Sequence, residues 1–313
     1  MYYIVQRIKL KIPHKPVLIE EVLETFSKIS KGVIVDCTLG YGGHSEALLE
    51  ENPDINMICI DQDIEALEFS KKRLSPFKGR VQFLKGRFSD LINSIENPKM
   101  IRGILADIGV SSLQLDKNDR GFGFDSQTLD MRMDQGAILT AYEVVNSYLK
   151  EDLERIFKEY GEVSEYKKAA SLIVEYRANK PFESSQELAY FLAKHLYSRR
   201  LHPATLIFQA IRIEVNDELG ELKRLLESIE KLNINKSLVA IISFHSLEDR
   251  LVKTYFKAWS KSCICPREAM RCTCGNNHAF GKVITKKPII PTSREIDENP
   301  RSRSSKLRVF KVD

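Results

Sequence analysis

The sequence predicts an α/β fold: a doubly wound, mostly parallel sheet with an all-helical subdomain inserted into it. The first third of the 313-residue chain alternates continuous apolar runs with segments of helical apolar spacing. Strands that are apolar along their whole length belong to parallel sheets covered on both faces. Strand signals then vanish over about 140–201, and a further apolar run at 237–244 restores the pattern. The expected organisation is therefore one discontinuous domain, 1–139 with 202–313, interrupted by a helical subdomain at 140–201.

Residues 32–37 form the first apolar run and lead into a glycine-rich turn, after which a helix starts at 44–51. A second run occupies 55–61, and 64–74 places Ile64, Leu67 and Leu74 at helical spacing. Runs at 81–84 and 101–107 complete four strands. In the middle, 150–160, 164–178 and 185–196 read as helices. Ser184 with Glu187 forms a capping box, while Gly161 and Pro181 punctuate helix ends. Residues 203–232 read as one long amphipathic helix, followed by the strand 237–244 and a helix at 247–261.

Composition narrows the function classes. An apolar fraction of 43% and a charged fraction of 29% exclude wholesale disorder and fibrous classes. No apolar run reaches the roughly 18 residues that a membrane span needs. Gln6, Arg7, Lys9 and Lys11 interrupt the N-terminal apolar residues, so no signal-peptide core is read there. A soluble, cytoplasmic chain is expected. The net charge of +5 permits an RNA partner without demanding one. That excess equals the excess within 281–313, where nine basic residues face four acidic ones.

Two places carry chemistry. Asp36-Cys37-Thr38-Leu39-Gly40-Tyr41-Gly42-Gly43-His44-Ser45 follows a strand and opens a helix. Its glycines let backbone approach a ligand, and the helix N-terminus offers N–H groups to an anionic group. Asp61 ends the next strand, where a carboxylate can accept both hydroxyls of a ribose. The loop lacks the Gly-x-Gly-x-x-Gly spacing of dinucleotide sites and suits S-adenosylmethionine at least as well. Asp107 ends the fourth strand, beside the crevice where doubly wound sheets bind ligands. A carboxylate there can bind a cofactor amine or accept a hydrogen bond from a target amine. His245, after the 237–244 strand, either faces the target or is a helix-capping or core histidine.

A series of motifs runs through nearly the whole chain. Gly42-Gly43-His44-Ser45, the run Asp107–Asp116, Arg120-Gly121-Phe122-Gly123-Phe124 and Leu129–Asp134 come first. His202-Pro203-Ala204-Thr205, Phe208–Leu219, Ser243–Arg250 and Asn299–Arg308 follow in order. Together they resemble the bacterial small-subunit rRNA cytosine-N4 methyltransferase family (MraW/RsmH type). The resemblance implies a class I, Rossmann-like methyltransferase using S-adenosyl-L-methionine, with contacts from Gly42, Gly43, His44, Asp61, Phe88, Asp107 and Gln114. It also implies a target amine on a cytosine (cytosine 1402) of 16S rRNA, in the free RNA or the small ribosomal subunit. Gly123 stands where Ser is usual, and Leu206-Ile207 replace a usual Arg-Thr. Asp107 is the candidate catalytic acceptor. Other readings are an amino methyltransferase for DNA or a small molecule, or an RNA-binding assembly factor without turnover.

The cysteines divide into two groups. Cys37 and Cys59 lie in apolar runs and read as small buried hydrophobes. Cys263, Cys265, Cys272 and Cys274 have the count of a zinc site, but in Cys-x-Cys rather than Cys-x2-Cys pairs. Structural zinc and free thiols in a surface excursion are both open readings, and no metal ligand is assigned to the candidate active site.

Overall fold

The computed structural model describes residues 15–197, 201–266, 268–269 and 271–313. The N-terminal stretch 1–11, His14, and the end of the expected insert at 198–200 lie outside the described residues. The chain opens with α1 (Ile19–Phe26), then β1 (Gly32–Asp36), α2 (Gly43–Glu51), β2 (Ile55–Asp61), α3 (Ile64–Arg73) and β3 (Val81–Lys85). Next come α4 (Phe88–Leu91), β4 (Ile101–Asp107) and α5 (Ser112–Asp116). Four helices follow without a strand: α6 (Ala141–Ser147), α7 (Lys150–Glu159), α8 (Tyr166–Arg177) and α9 (Ser185–His195). After them come α10 (Thr205–Asn216), α11 (Glu218–Lys231), β5 (Leu238–Ser243), α12 (Ser246–Trp259), β6 (Gly281–Val283), α13 (Ser293–Glu298) and β7 (Lys306–Val312).

The seven strands form one sheet in the order β3-β2-β1-β4-β5-β7-β6. β1 to β5 are parallel, and β7 runs antiparallel to both β5 and β6. This is the doubly wound, Rossmann-like arrangement that the sequence predicts, with order reversing between β1 and β4. Neighbouring residues of a strand serve opposite faces. Ile34, Met57 and Leu105 join the cluster under α1, α2 and α3. Val35, Ile58 and Ile104 join the cluster with Leu222, Leu225 and Val252 from α11 and α12. Cys37 and Cys59 are buried, as their apolar surroundings predict. Among the described residues, no helix is long and apolar enough to cross a membrane.

The helical part has its own core. Val144, Leu153, Ile156, Phe157, Ile173 and Leu192 are fully buried in it. That core also takes in Phe122, Leu129 and Met131 before the insert and Ala204, Ile207 and Ile211 after it. The core of these helices therefore extends beyond 140–201 on both sides.

Two expectations need correction. Residues 203–232 are not one helix, because Asp217 is left-handed (φ +50°) and separates α10 from α11. Arg224 bonds Asp217 (2.5 Å), two turns back, and Glu221 (2.7 Å), one turn back, which ties the break to α11. The basic segment 281–313 is also more than a charged tail. β7 is an interior strand of the sheet, and its Arg308 is buried against Asp249 with contacts of 2.6 and 3.0 Å. Lys306, Arg308 and Lys311 interrupt the apolar residues of β7 and disguise it as a charged segment.

Candidate functional site

A cavity of about 320 Å³ opens at the carboxyl ends of β1, β2, β4 and β5, the place where strand order reverses. Its floor is the turn between β1 and α2. Asp36 is buried and shapes this turn from beneath, accepting hydrogen bonds from Ser45 Oγ (2.6 Å) and the Thr38 N–H (3.1 Å). Gly40 (φ +51°) and Gly42 (φ +72°) take left-handed conformations that favour glycine. Gly43 is required for a different reason: a Cβ there would stand 2.3 Å from Pro16 Cγ. Gly43 and His44 line the cavity. Gly42 is not part of the wall and packs towards Ser70 of α3, so its contribution is the shape of the turn. No side chain caps the first turn of α2, whose N–H groups are left for a ligand.

Asp61 closes the rim at the end of β2. Its Oδ2 accepts the Gly40 N–H and its Oδ1 the Asp63 N–H, both at 2.8 Å. Burial nevertheless pushes its pKa up to about 6, outweighing the two N–H donors. Each oxygen keeps a lone pair for a further donor.

Asp107, at the end of β4, differs. Its backbone N–H is tied to Thr38 Oγ1 (2.7 Å), which fixes the residue at the turn. Oδ1 is buried and accepts no hydrogen bond, while Oδ2 lies 3.9 Å from His44 Nδ1. Burial pushes this carboxyl up to about 6 as well; His44 opposes that shift, and Asp36 and Glu248 add to it. His44 Nε2 is 2.9 Å from the Val17 carbonyl, to which it donates, leaving Nδ1 turned to Asp107.

The remaining two sequence candidates also reach the cavity. Phe88 opens α4 and offers a half-buried ring to the wall. Gln114 is buried and braced: its Nε2 donates to Asp63 Oδ2 (3.1 Å) and its Oε1 accepts the Ser111 N–H (3.0 Å). The same Asp63 oxygen takes Nη1 of the buried Arg120 at 2.9 Å. Gln114 therefore joins α3 to the segment after β4 as well as facing the cavity.

The far wall comes from the break between α10 and α11, which sequence reasoning passed over. Arg212 grips Glu218 with two bonds of 2.7 and 2.9 Å. Asn216 holds the Met131 carbonyl and the Met133 N–H, both at 2.8 Å, and so ties the helix to the segment before the insert. Glu221 receives Arg87 (2.8 Å) and Ser89 (2.6 Å). A usable signal was present in Arg212 and Asn216 among the apolar residues of α10, and in Glu218 directly after the break. His245 does not line the cavity; it occupies the N-cap of α12, with Nε2 3.1 Å from the fully buried Glu248.

Among the arginines of the wall, Arg73 is paired with Glu46, Arg87 with Glu221, Arg212 with Glu218 and Arg301 with Asp116. Asp107 Oδ1 is the buried cavity acceptor left without a donor. Such a group is costly to bury and marks where a ligand donor fits.

Residues 11–313 match the MraW methylase family. The chain belongs to this family. It is 65% identical over 304 residues to the ribosomal RNA small subunit methyltransferase H of Aliarcobacter butzleri, covering 97% of this chain and 100% of that one. The proteins of the same name from Nitratiruptor sp. and Wolinella succinogenes are 59% and 57% identical. Each match covers 96% of this chain and 99% of the relative.

Proposed function

We propose that this member of the MraW methylase family transfers a methyl group from S-adenosylmethionine to the N4 amine of a cytosine in small-subunit ribosomal RNA, cytosine 1402. The observation that carries the reading is the unpartnered, buried Asp107 Oδ1 at the end of β4. The curated relatives' name supports ribosomal RNA as substrate, and the ordered motif series supports the cytosine amine.

The cavity fits the cofactor in three respects. Asp61 offers acceptors for ribose hydroxyls. The uncapped α2 N-terminus behind Gly43 suits a carboxylate. Phe88 gives an apolar surface for a base. When bound, the cofactor supplies an electrophilic methyl group on a sulfonium. Cytosine N4 is a weak nucleophile because its lone pair is shared with the ring. Asp107 accepts a hydrogen bond from that amine, favours the attacking geometry, and gains strength as positive charge develops on nitrogen. It then stands ready for the proton that nitrogen sheds. Thr38 fixes the backbone of Asp107, and the His44 ring, held by Val17, stands 3.9 Å from its Oδ2. Positioning of amine and methyl supplies much of the acceleration in such displacements. The protein works in the cytoplasm, where its RNA substrate is.

A labelled-methyl transfer assay on naked rRNA, assembled small subunits and DNA tests the reading. Label at one cytosine amine of the rRNA or the subunit is expected. Transfer to DNA alone, or to another atom of the base, would refute it.

A further inference from the structure

Between α12 and β6 the chain makes an excursion, 260–280, without helix or strand, and none of its described residues is buried. Its base is well anchored. Trp259 and Phe280 stack with Phe310 of the sheet at centroid distances of 5.3–6.3 Å, and the Phe280 N–H bonds the Trp259 carbonyl at 2.8 Å. Beyond that base there is no apolar core to hold the loop. A few polar contacts cross it, such as Ser262 Oγ to Asn276 Oδ1 at 2.9 Å, and a metal staple would add what a core does not.

The four remaining cysteines meet there. Cys263 and Cys265 come from the outgoing arm, Cys272 and Cys274 from the returning arm, and their four sulfurs lie within 4.8 Å of one another. Cys263 and Cys272 sulfurs are 3.6 Å apart, Cys272 and Cys274 3.6 Å, and Cys274 and Cys263 3.7 Å. These three separations describe one triangular face. Thiolates about 2.3 Å from a tetrahedral zinc stand about 3.8 Å from one another, so the face has the size of a zinc-tetrathiolate face. The separations are too long for disulfides, whose sulfurs are about 2.05 Å apart. Backbone donors also point at the sulfurs, as thiolate ligands require: Ile264 N–H to Cys274 (3.5 Å) and Thr273 N–H to Cys265 (3.3 Å).

We propose that Cys263, Cys265, Cys272 and Cys274 bind one zinc ion in a closed, structural tetrathiolate site that folds the excursion between α12 and β6. With four protein ligands the ion keeps no open position, so its role is to order the loop and not to take part in methyl transfer. The Cys-x-Cys spacing, unlike that of common zinc knuckles, places two ligands of each arm on one side of an extended segment, and the two arms close over the ion.

The test uses the whole purified chain. Elemental analysis is expected to find about one zinc per chain, and a cobalt-exchanged sample should show the intense sulfur-to-cobalt charge-transfer band of a tetrahedral tetrathiolate. Thiol titration of the native chain should find the four cluster cysteines protected until a chelator is added, because Cys37 and Cys59 are buried in either case. Cys272→Ser should lose most of the zinc and become protease-sensitive between 260 and 280, with cofactor affinity unchanged. Should Cys272→Ser fail to fold, the cobalt spectrum of the unaltered chain decides the matter alone. Metal-free chain from zinc-supplemented growth, with four freely titrating thiols and no cobalt band, would overturn the proposal. So would stoichiometric iron in place of zinc.

Discussion

The two sides of the crevice are built on opposite rules. On the side of β1, α2 and β2, polar groups satisfy one another: Asp36 holds Ser45 and Thr38, and Asp61 takes two N–H donors. On the side of β4, Asp107 Oδ1 is buried and accepts no hydrogen bond. The first side is preorganised and gains little from a ligand beyond extra donors. The second stores unmet acceptor capacity, which costs free energy until a donor arrives. On the proposed function, the saturated half would bind the cofactor and the unsatisfied half would act on the second substrate.

That contrast makes two substitutions diverge. Asp107→Asn keeps the shape and loses the charge, and should lower the single-turnover rate on the order of 10²-fold even at saturating cofactor. Full recovery at saturation would break the contrast by making Asp107 another cofactor contact. Asp61→Ala should act on the other side alone. Losing a charged hydrogen bond of about 1.5–3 kcal/mol predicts roughly ten- to hundred-fold weaker cofactor binding. Its turnover should largely return once cofactor saturates, since the contact is equal in ground and transition states.

Protonation sharpens the same point. Asp107 is pushed up to about 6, so the transfer rate should fall as pH drops through about 6, and Asp107→Asn should lack that limb. The stability effect has the opposite sign. A carboxyl whose pKa is raised by folding stabilises the protein below its unfolded pKa and loses that contribution as pH rises through the folded value. With its side chain 24% exposed, the effect at Asp107 is discounted to about 1–2 kcal/mol. Asp107→Asn should therefore melt higher than the parent at pH 8 and draw level only below about pH 4, under the unfolded pKa, which thermal unfolding from pH 8 down to that range would check. No such convergence would mean that the unpartnered oxygen is not strained.

The smallest effect is expected at the mouth. Arg301 lines the cavity and pairs with Asp116, so only part of its charge is free for RNA. Charge reversal at Arg301 and Arg303 should weaken RNA binding and reduce its salt slope by about 1–2. Cofactor affinity should stay constant. An unchanged slope would place the RNA elsewhere.

Most of the sheet was legible because its strands are apolar on both faces and each is bounded by turn residues. β2 and β4 begin and end where their apolar runs do. The glycine turn was equally plain, since glycine is favoured in the left-handed conformation of Gly40 and Gly42 and is required by the contact of Gly43 with Pro16. β7 was hidden because Lys306, Arg308 and Lys311 break up its apolar run, and the partner that neutralises Arg308, Asp249, is remote in sequence. The break at Asp217 was hidden because helical periodicity continues on both sides of one left-handed residue. With it went Arg212, Asn216 and Glu218, whose relevance depends on which way α10 and α11 point.

The sequence by itself determined the alternation of strands and helices, the glycine turn, and the acids that end β2 and β4, since each follows from local sterics and burial. The tertiary structure alone decided which acid is satisfied. Asp61 and Asp107 occupy equivalent strand ends, yet one meets the N–H groups of Gly40 and Asp63 and the other meets no donor at Oδ1. The physical reason is that hydrogen-bond satisfaction is a property of where chain segments cross in space, and local propensity carries no information about it.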